Sequence, residues 1–183
     1  VLEAMWPFLA GGADGVFGNP SSRHEEGERA ARALEQARAV VASNLGCRAS
    51  EVIFTAGGTE GANLAVKGIV LASPRGRHVV TSPLEHEAVV ESIDYLRRFH
   101  GATVTVLPVD AEGRVAPEDL RAALRADTAL VTIQHASNEI GTIQPIAELA
   151  EIAREHGVPM HTDAVQSIGS LDASLSALGV DAV

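Results

Sequence analysis

Four polar segments of this sequence carry side chains that could do chemistry, and each follows a short apolar run. Thr55-Ala56-Gly57-Gly58-Thr59-Glu60 follows Val52-Ile53-Phe54. Its glycines let the backbone come close to a ligand, and the Gly58 and Thr59 amides with the Thr59 hydroxyl can point at an anion at a helix N-terminus. The same residues also suit an ordinary strand–turn–helix connection capped by Thr59. The segment is neither a Walker loop, since no Gly-Lys-Ser/Thr follows, nor a Gly-x-Gly-x-x-Gly fingerprint. Ser82-Pro83-Leu84-Glu85-His86 sets an imidazole after a second apolar run, to stack on a flat ring, to move a proton, or simply to face solvent at a helix start. Gln134-His135-Ala136-Ser137-Asn138-Glu139-Ile140-Gly141 is a polar loop after a strongly apolar run, which favours binding. His161-Thr162-Asp163-Ala164-Val165-Gln166 offers a carboxylate that could join His161 on a metal, hold a protonated ring nitrogen, or cap a helix.

The elements that must position these groups follow from periodicity and punctuation. Val1 to Ala10 reads as the end of a helix, and Gly11 to Pro20 as a loop. Ser21 or Ser22 is expected to cap a long helix reaching Leu45, with Ala30, Ala33, Leu34, Ala37, Val41 and Leu45 at helical spacing and Gly46 at its end. Strands are predicted at Val52–Phe54, His78–Thr81, Thr103–Leu107, Ala129–Ile133 and Val158–His161, with another starting near Val180. Helices are predicted at Glu60–Leu71, His86–Phe99, from Pro117 to Arg125, and from Pro145 to Glu155. Strands and helices alternate without hairpins, so the fold class is α/β, a three-layer α/β/α single domain over 1–183 with a mostly parallel sheet. In such sheets ligands sit at the carboxyl ends of the strands, where all four polar segments fall.

Composition narrows the function classes. The 183 residues are 46% hydrophobic and 21% charged, values of a globular chain rather than a disordered one. A net charge of −10 disfavours nucleic acid and anionic lipid as partners. One cysteine excludes an intramolecular disulfide and a cysteine-only zinc cluster. No apolar run has the length of a membrane span, and a cytoplasmic location is expected. The single lysine is Lys67, read as a helix-surface residue, and Cys47, after Gly46, as structural. The first residue is Val1 and the last, Val183, falls in the start of a strand, so a piece of a longer chain is expected.

A phosphate cradle, a stacking imidazole and a carboxylate on one sheet edge would together suit a phosphorylated cationic heteroaromatic such as pyridoxal 5′-phosphate. The motifs Phe17-Gly18-Asn19-Pro20-Ser21-Ser22, Phe54 to Glu60, Glu85-His86, Ser137 to Gly141 and His161 to Gln166 occur in the order found in cysteine desulfurases of the NifS/IscS type. The chain resembles that family, within the class V aminotransferases, over essentially its whole length. The resemblance implies the large domain of a fold type I pyridoxal-phosphate enzyme. It implies Gly58 and Thr59 on the cofactor phosphate, His86 on the pyridine face as a catalytic proton carrier, and Asp163 on the ring nitrogen. Gln166 would bond the ring hydroxyl, and Asn138 would lie near that oxygen and the substrate carboxylate.

The implied reaction converts L-cysteine to L-alanine and leaves the sulfur as a persulfide on an enzyme cysteine, in a homodimer that serves a sulfur-acceptor protein. The resemblance sets the Schiff-base lysine after a Ser-Gly-His beyond the strand at Val180. The nucleophilic cysteine and a substrate-binding arginine lie further on. The 183 residues alone are therefore expected to be inactive. Three other readings stand beside this one: a non-catalytic truncated module of the same fold, a selenocysteine lyase or other class V lyase, and a metal-dependent hydrolase using His86, His135, His161 and Asp163.

Overall fold

Short β-branched runs separated by amphipathic helices leave a parallel sheet as the way to bury both kinds of element. The computed structural model describes residues 1–9 and 15–183. Ala10 at the end of the first expected helix, and residues 11–14 of the expected loop, lie outside the described residues. The chain divides into two compact units, Val1–Ile53 and Phe54–Val183.

In the first unit, α1 (Leu2–Leu9) is followed by α2 (Glu25–Leu45). Glu25, Glu26 and Glu28 fill the first turn of α2, where negative charge suits the helix dipole. The cap is His24, whose Nδ1 accepts from the Gly27 amide at 3.2 Å, and not Ser21 or Ser22. Those serines are consumed by a turn led by Asn19, whose Oδ1 accepts from the Ser21 amide and whose carbonyl accepts from the Ser22 amide, both at 2.9 Å. The turn folds over the helix start, so a Cβ on Gly27 would lie 2.5 Å from the Ser22 carbonyl oxygen. Gly46 ends α2 in the left-handed region, as read. Residues 52–54 form no strand. Ile53 is 66% exposed, and the Val52 carbonyl accepts from the Arg38 guanidinium instead of a sheet neighbour.

The second unit holds α3 (Gly58–Ala72), β1 (His78–Thr81), α4 (Glu87–His100), β2 (Thr103–Val106), α5 (Pro117–Ala123), β3 (Thr128–Thr132), α6 (Ile146–Glu155), β4 (Met160–His161) and α7 (Leu175–Leu178). The strands lie in the order β2-β1-β3-β4, all parallel. Ala182 bridges in parallel to His161, where a further strand was expected. Alternate residues feed opposite layers. Val79 and Leu130 pack with Val66, Val70, Val89 and Leu96 of α3 and α4. Val80 and Val131 pack with Leu120, Leu149 and Leu178 of α5, α6 and α7. The result is the expected α/β/α sandwich, each fully buried Val or Leu contributing roughly 1.5–3 kcal/mol. The connection from β1 runs to one side, to β2, and the chain then returns across β1 to β3. The switch point therefore lies between β1 and β3, the place in such sheets where a crevice opens at the carboxyl edge.

Candidate active site

The carboxyl edge of the sheet in the second unit gathers most of the chemistry-bearing residues. At the start of α3 the side chain of Glu60 reaches back to the Ala56 amide at 2.5 Å, and Thr55 Oγ1 donates to the Gly57 carbonyl at 3.0 Å. These bonds fix the glycine turn while the first-turn amides of Gly58 and Thr59 have no partner within the helix. Thr59 is exposed. A Cβ on Gly57 would meet nothing within 4 Å, whereas one on Gly58 would lie 3.2 Å from Val165 Cγ2. The turn thus abuts the Asp163–Gln166 loop.

His86 is exposed and caps α4, its Nδ1 accepting from the Ala88 amide at 3.1 Å. That bond assigns the neutral ring's proton to Nε2, which is left for a ligand. Asp163 is half-buried just after β4. Its Oδ1 accepts from the Val165 amide at 3.0 Å, and its carbonyl accepts from the His135 amide at 2.9 Å, which joins the loops after β3 and β4. Its Oδ2 has no bond among the described residues. Ser167 supports the same loop, donating to the Ala164 carbonyl at 3.1 Å and lying 2.9 Å from His135 Nδ1. Asn138 sits exposed on a tight turn closed by Ser137 and Thr142, with an antiparallel bridge between Ala136 and Ile143, a small hairpin the alternation of elements gave no sign of. The approach of Gly58 to Val165 joins the glycine turn to the Asp163 loop, and the strand order puts His86, after β1, across the switch point from Asp163, after β4. Among the described residues no hydrogen bond ties Asn138 or the exposed Gln166 to the other four.

Two residues to which the sequence assigned no role organise this edge. Glu85 is buried, and its Oε1 accepts from Ser82 Oγ at 2.7 Å and from the Gln134 amide at 2.9 Å. Burial pushes its carboxyl up to about 7, against the lowering by those two bonds and with a further rise from the Asp163 charge. Gln144 is buried too, accepting from the Val115 amide at 2.9 Å and donating to the Gly113 carbonyl at 2.6 Å. It holds the loop against which the Asn138 turn rests. The one available signal was that a Glu stands beside an imidazole at a strand end; for Gln144 there was none.

The metal-hydrolase reading finds no ligand set here. Among the described residues no three His, Cys, Asp or Glu side chains are grouped to hold a cation. His161 Nδ1 lies 2.8 Å from Thr132 Oγ1, and burial holds that imidazole down at about 4. Lys67 is half-buried rather than a solvated surface residue, with Nζ 2.5 Å from Asn63 Oδ1 and 4.2 Å from the Tyr95 ring centroid. Nine residues into α3 from Gly58, it stands roughly 13 Å along the axis from the glycine turn.

A parallel α/β/α sheet in which a glycine turn abuts the loop that carries a strand-end carboxylate defines a class of protein, and the chain belongs to the aminotransferase class-V family, which matches residues 1–183. It is 50% identical over 182 residues to the cysteine desulfurase IscS of Dictyoglomus turgidum, covering 99% of this chain and 45% of that protein. It is 50% identical over 174 residues to an IscS-like cysteine desulfurase of Mycobacterium tuberculosis, covering 92% and 44%. Among solved structures it resembles a NifS-like protein, with a TM-score of 0.90 and 39% identity over 99% of this chain and 49% of that one. It also resembles SspA in complex with cysteine, with a TM-score of 0.89 and 39% identity over 98% and 51%. The chain thus spans less than half the length of these curated relatives.

The donor set fits pyridoxal phosphate. First-turn amides and a hydroxyl suit a phosphate ester, the open space at Gly57 admits it, a flat imidazole suits a pyridine face, and a carboxylate oxygen without a bond suits a ring N–H.

Proposed function

We propose that this chain is the cofactor-binding portion of a pyridoxal-phosphate-dependent cysteine desulfurase, which converts L-cysteine to L-alanine and transfers the sulfur to an enzyme cysteine. One observation carries the reading: the start of α3 meets the Asp163 loop, Gly58 against Val165, at the carboxyl edge of a parallel sheet. Relatives of 50% identity named as cysteine desulfurases support it.

In this reading the Gly58 and Thr59 amides and the Thr59 hydroxyl bind the phosphate. His86 lies on the pyridine face and moves protons through Nε2, the nitrogen its capping bond leaves available. Asp163 presents Oδ2 to the ring nitrogen while Oδ1 stays engaged by Val165. Gln166 bonds the ring hydroxyl, and Asn138 serves that oxygen and the substrate carboxylate. When bound, the cofactor supplies a cationic ring that withdraws electrons from the substrate's α-carbon. In the net reaction the C–S bond of cysteine breaks, the sulfur joins a thiolate, and the β-carbon takes a proton.

The lysine that anchors the cofactor and the thiolate that takes the sulfur belong, in this reading, to sequence outside these 183 residues. Lys67 is engaged by Asn63 and Tyr95, away from the glycine turn. The whole protein is a cytoplasmic homodimer that hands sulfur to an acceptor protein.

The test supplies L-cysteine and a thiol reductant to the full-length protein loaded with pyridoxal phosphate. Alanine and sulfide are expected in equal amounts, and absence of alanine would overturn the reading. For the 183 residues alone, borohydride reduction with the cofactor should leave Lys67 unmodified by mass spectrometry. A stoichiometric pyridoxyl adduct there would contradict the assignment.

A further inference from the structure

The segment Ser82 to His86 brings a residue that the proposed chemistry leaves unused. Glu85 is a carboxylic acid in the protein interior, 9% exposed, on the turn between β1 and α4. Its Oε1 bridges two elements, taking a bond from Ser82 Oγ in its own turn and one from the Gln134 amide at the end of β3. The reverse link exists as well, because Gln134 Nε2 donates to the Leu84 carbonyl. These bonds span the gap between β1 and β3, which is the switch point of the sheet. The other carboxyl oxygen, Oε2, is buried without a partner among the described residues, as is Thr81 Oγ1 at the end of β1. An orphaned carboxyl oxygen in such a place is far more costly when charged than when neutral.

We propose that Glu85 is a positioning residue: its buried carboxyl clamps the turn that presents His86 to the end of β3 and governs the charge beside Asp163. The inference rests on the pyridoxal-phosphate reading of this edge. The groups facing Glu85 are few. From its own turn come the neutral Ser82 and the neighbouring His86. The end of β3 offers the Gln134 amide, with His135 directed to Ser167. The loop after β4 offers Asp163, whose negative charge is felt at Glu85. No cation is bonded to the carboxyl among the described residues. The neutral form therefore dominates below about pH 7, and ionisation above it places a second negative charge in the crevice.

The experiment uses the full-length protein with Glu85→Gln and Glu85→Ala. Gln keeps an oxygen for Ser82 and Gln134 but cannot ionise; Ala leaves both donors without an acceptor. Cofactor affinity is read by absorbance titration at pH 6, and melting temperature of the cofactor-free protein between pH 5 and 8. Glu85→Gln should bind within about threefold of wild type at pH 6, while Glu85→Ala should bind at least about tenfold more weakly. Glu85 has a raised folded-state value, so its stabilising effect is complete below its unfolded value of 4.5 and is lost as pH rises through about 7. Glu85→Gln should accordingly gain melting temperature relative to wild type between pH 5 and 8. A constant difference over that range, or undiminished affinity in Glu85→Ala, would overturn this inference alone. A wild type that binds no cofactor would overturn the proposed function and this inference with it.

Discussion

Asp163 divides its two carboxyl oxygens between structure and chemistry. Oδ1 holds the Val165 amide, and Oδ2 has no bond among the described residues. Asp163→Asn retains the first role and loses the charge. If the full-length protein has the proposed activity, its kcat should fall by about three orders of magnitude with little change in melting temperature. Near-normal turnover would show that the ring nitrogen is not paired there. His86 differs, since its cap on α4 is itself structural. His86→Ala should cost about 1 kcal/mol of stability, read by chemical denaturation, besides its effect on turnover. His161 adds a pH dependence of opposite sign to that of Glu85. Its imidazole is held down at about 4, against a reference value of 6.5, by burial. Between those values the unfolded chain binds the extra proton, so stability is lost as pH falls below about 6.5. His161→Asn should flatten that acid-side fall in melting temperature, and an unchanged slope would mean that His161 is not buried in the neutral form.

At the level of elements, the Asn138 turn depends on a loop that the sequence alone did not connect to it. Gly113 has φ +79°, and a Cβ there would lie 2.7 Å from Ile140 Cδ1. Gly113→Ala puts a side chain in the left-handed region and makes the exposed Ile140 side chain give way, so it should cost about 1–3 kcal/mol in denaturation, chiefly from the backbone strain, with a raised KM for the substrate if Asn138 moves. Elements were legible where one local rule decided. His78–Thr81 was read with its observed bounds because a β-branched run was bracketed by Gly76 and Pro83. Pro117 marked its helix start and Gly46 its helix end. Val52–Phe54 was misread because an apolar triplet looks the same whether it joins a sheet or lies extended and exposed. The α2 cap was misread because choosing among Ser21, Ser22 and His24 depends on the Asn19 turn, a feature of three dimensions. Helix α7 was overlooked, although Ser174 accepts from the Ala177 amide and Gly179 closes the turn. Of the candidate site, the positions after β1, β3 and β4 followed from periodicity, whereas no strand precedes the glycine turn, and roles such as that of Gln166 came only through the family resemblance. The clamp through Glu85 was invisible because a buried acid and a solvated one are the same letter.

For the whole molecule, apolar exposure is the prominent feature. Leu2, Trp6, Phe8 and Leu9 of α1 are exposed, as is Val106 on the edge strand β2. Together with coverage of less than half of the relatives' length, this predicts that the 183 residues alone self-associate in sedimentation, whereas the full-length protein gives a single defined species. A monodisperse monomer of the 183 residues would contradict that expectation. Pyridoxal phosphate is assigned to the carboxyl edge of the sheet in the second unit, and a crystal structure of the full-length protein with the cofactor bound is the decisive measurement. The phosphate should lie against the Gly58 and Thr59 amides, and the ring nitrogen within hydrogen-bonding distance of Asp163 Oδ2. A cofactor seated elsewhere, or an Asp163 carboxylate turned from the ring, would contradict that assignment.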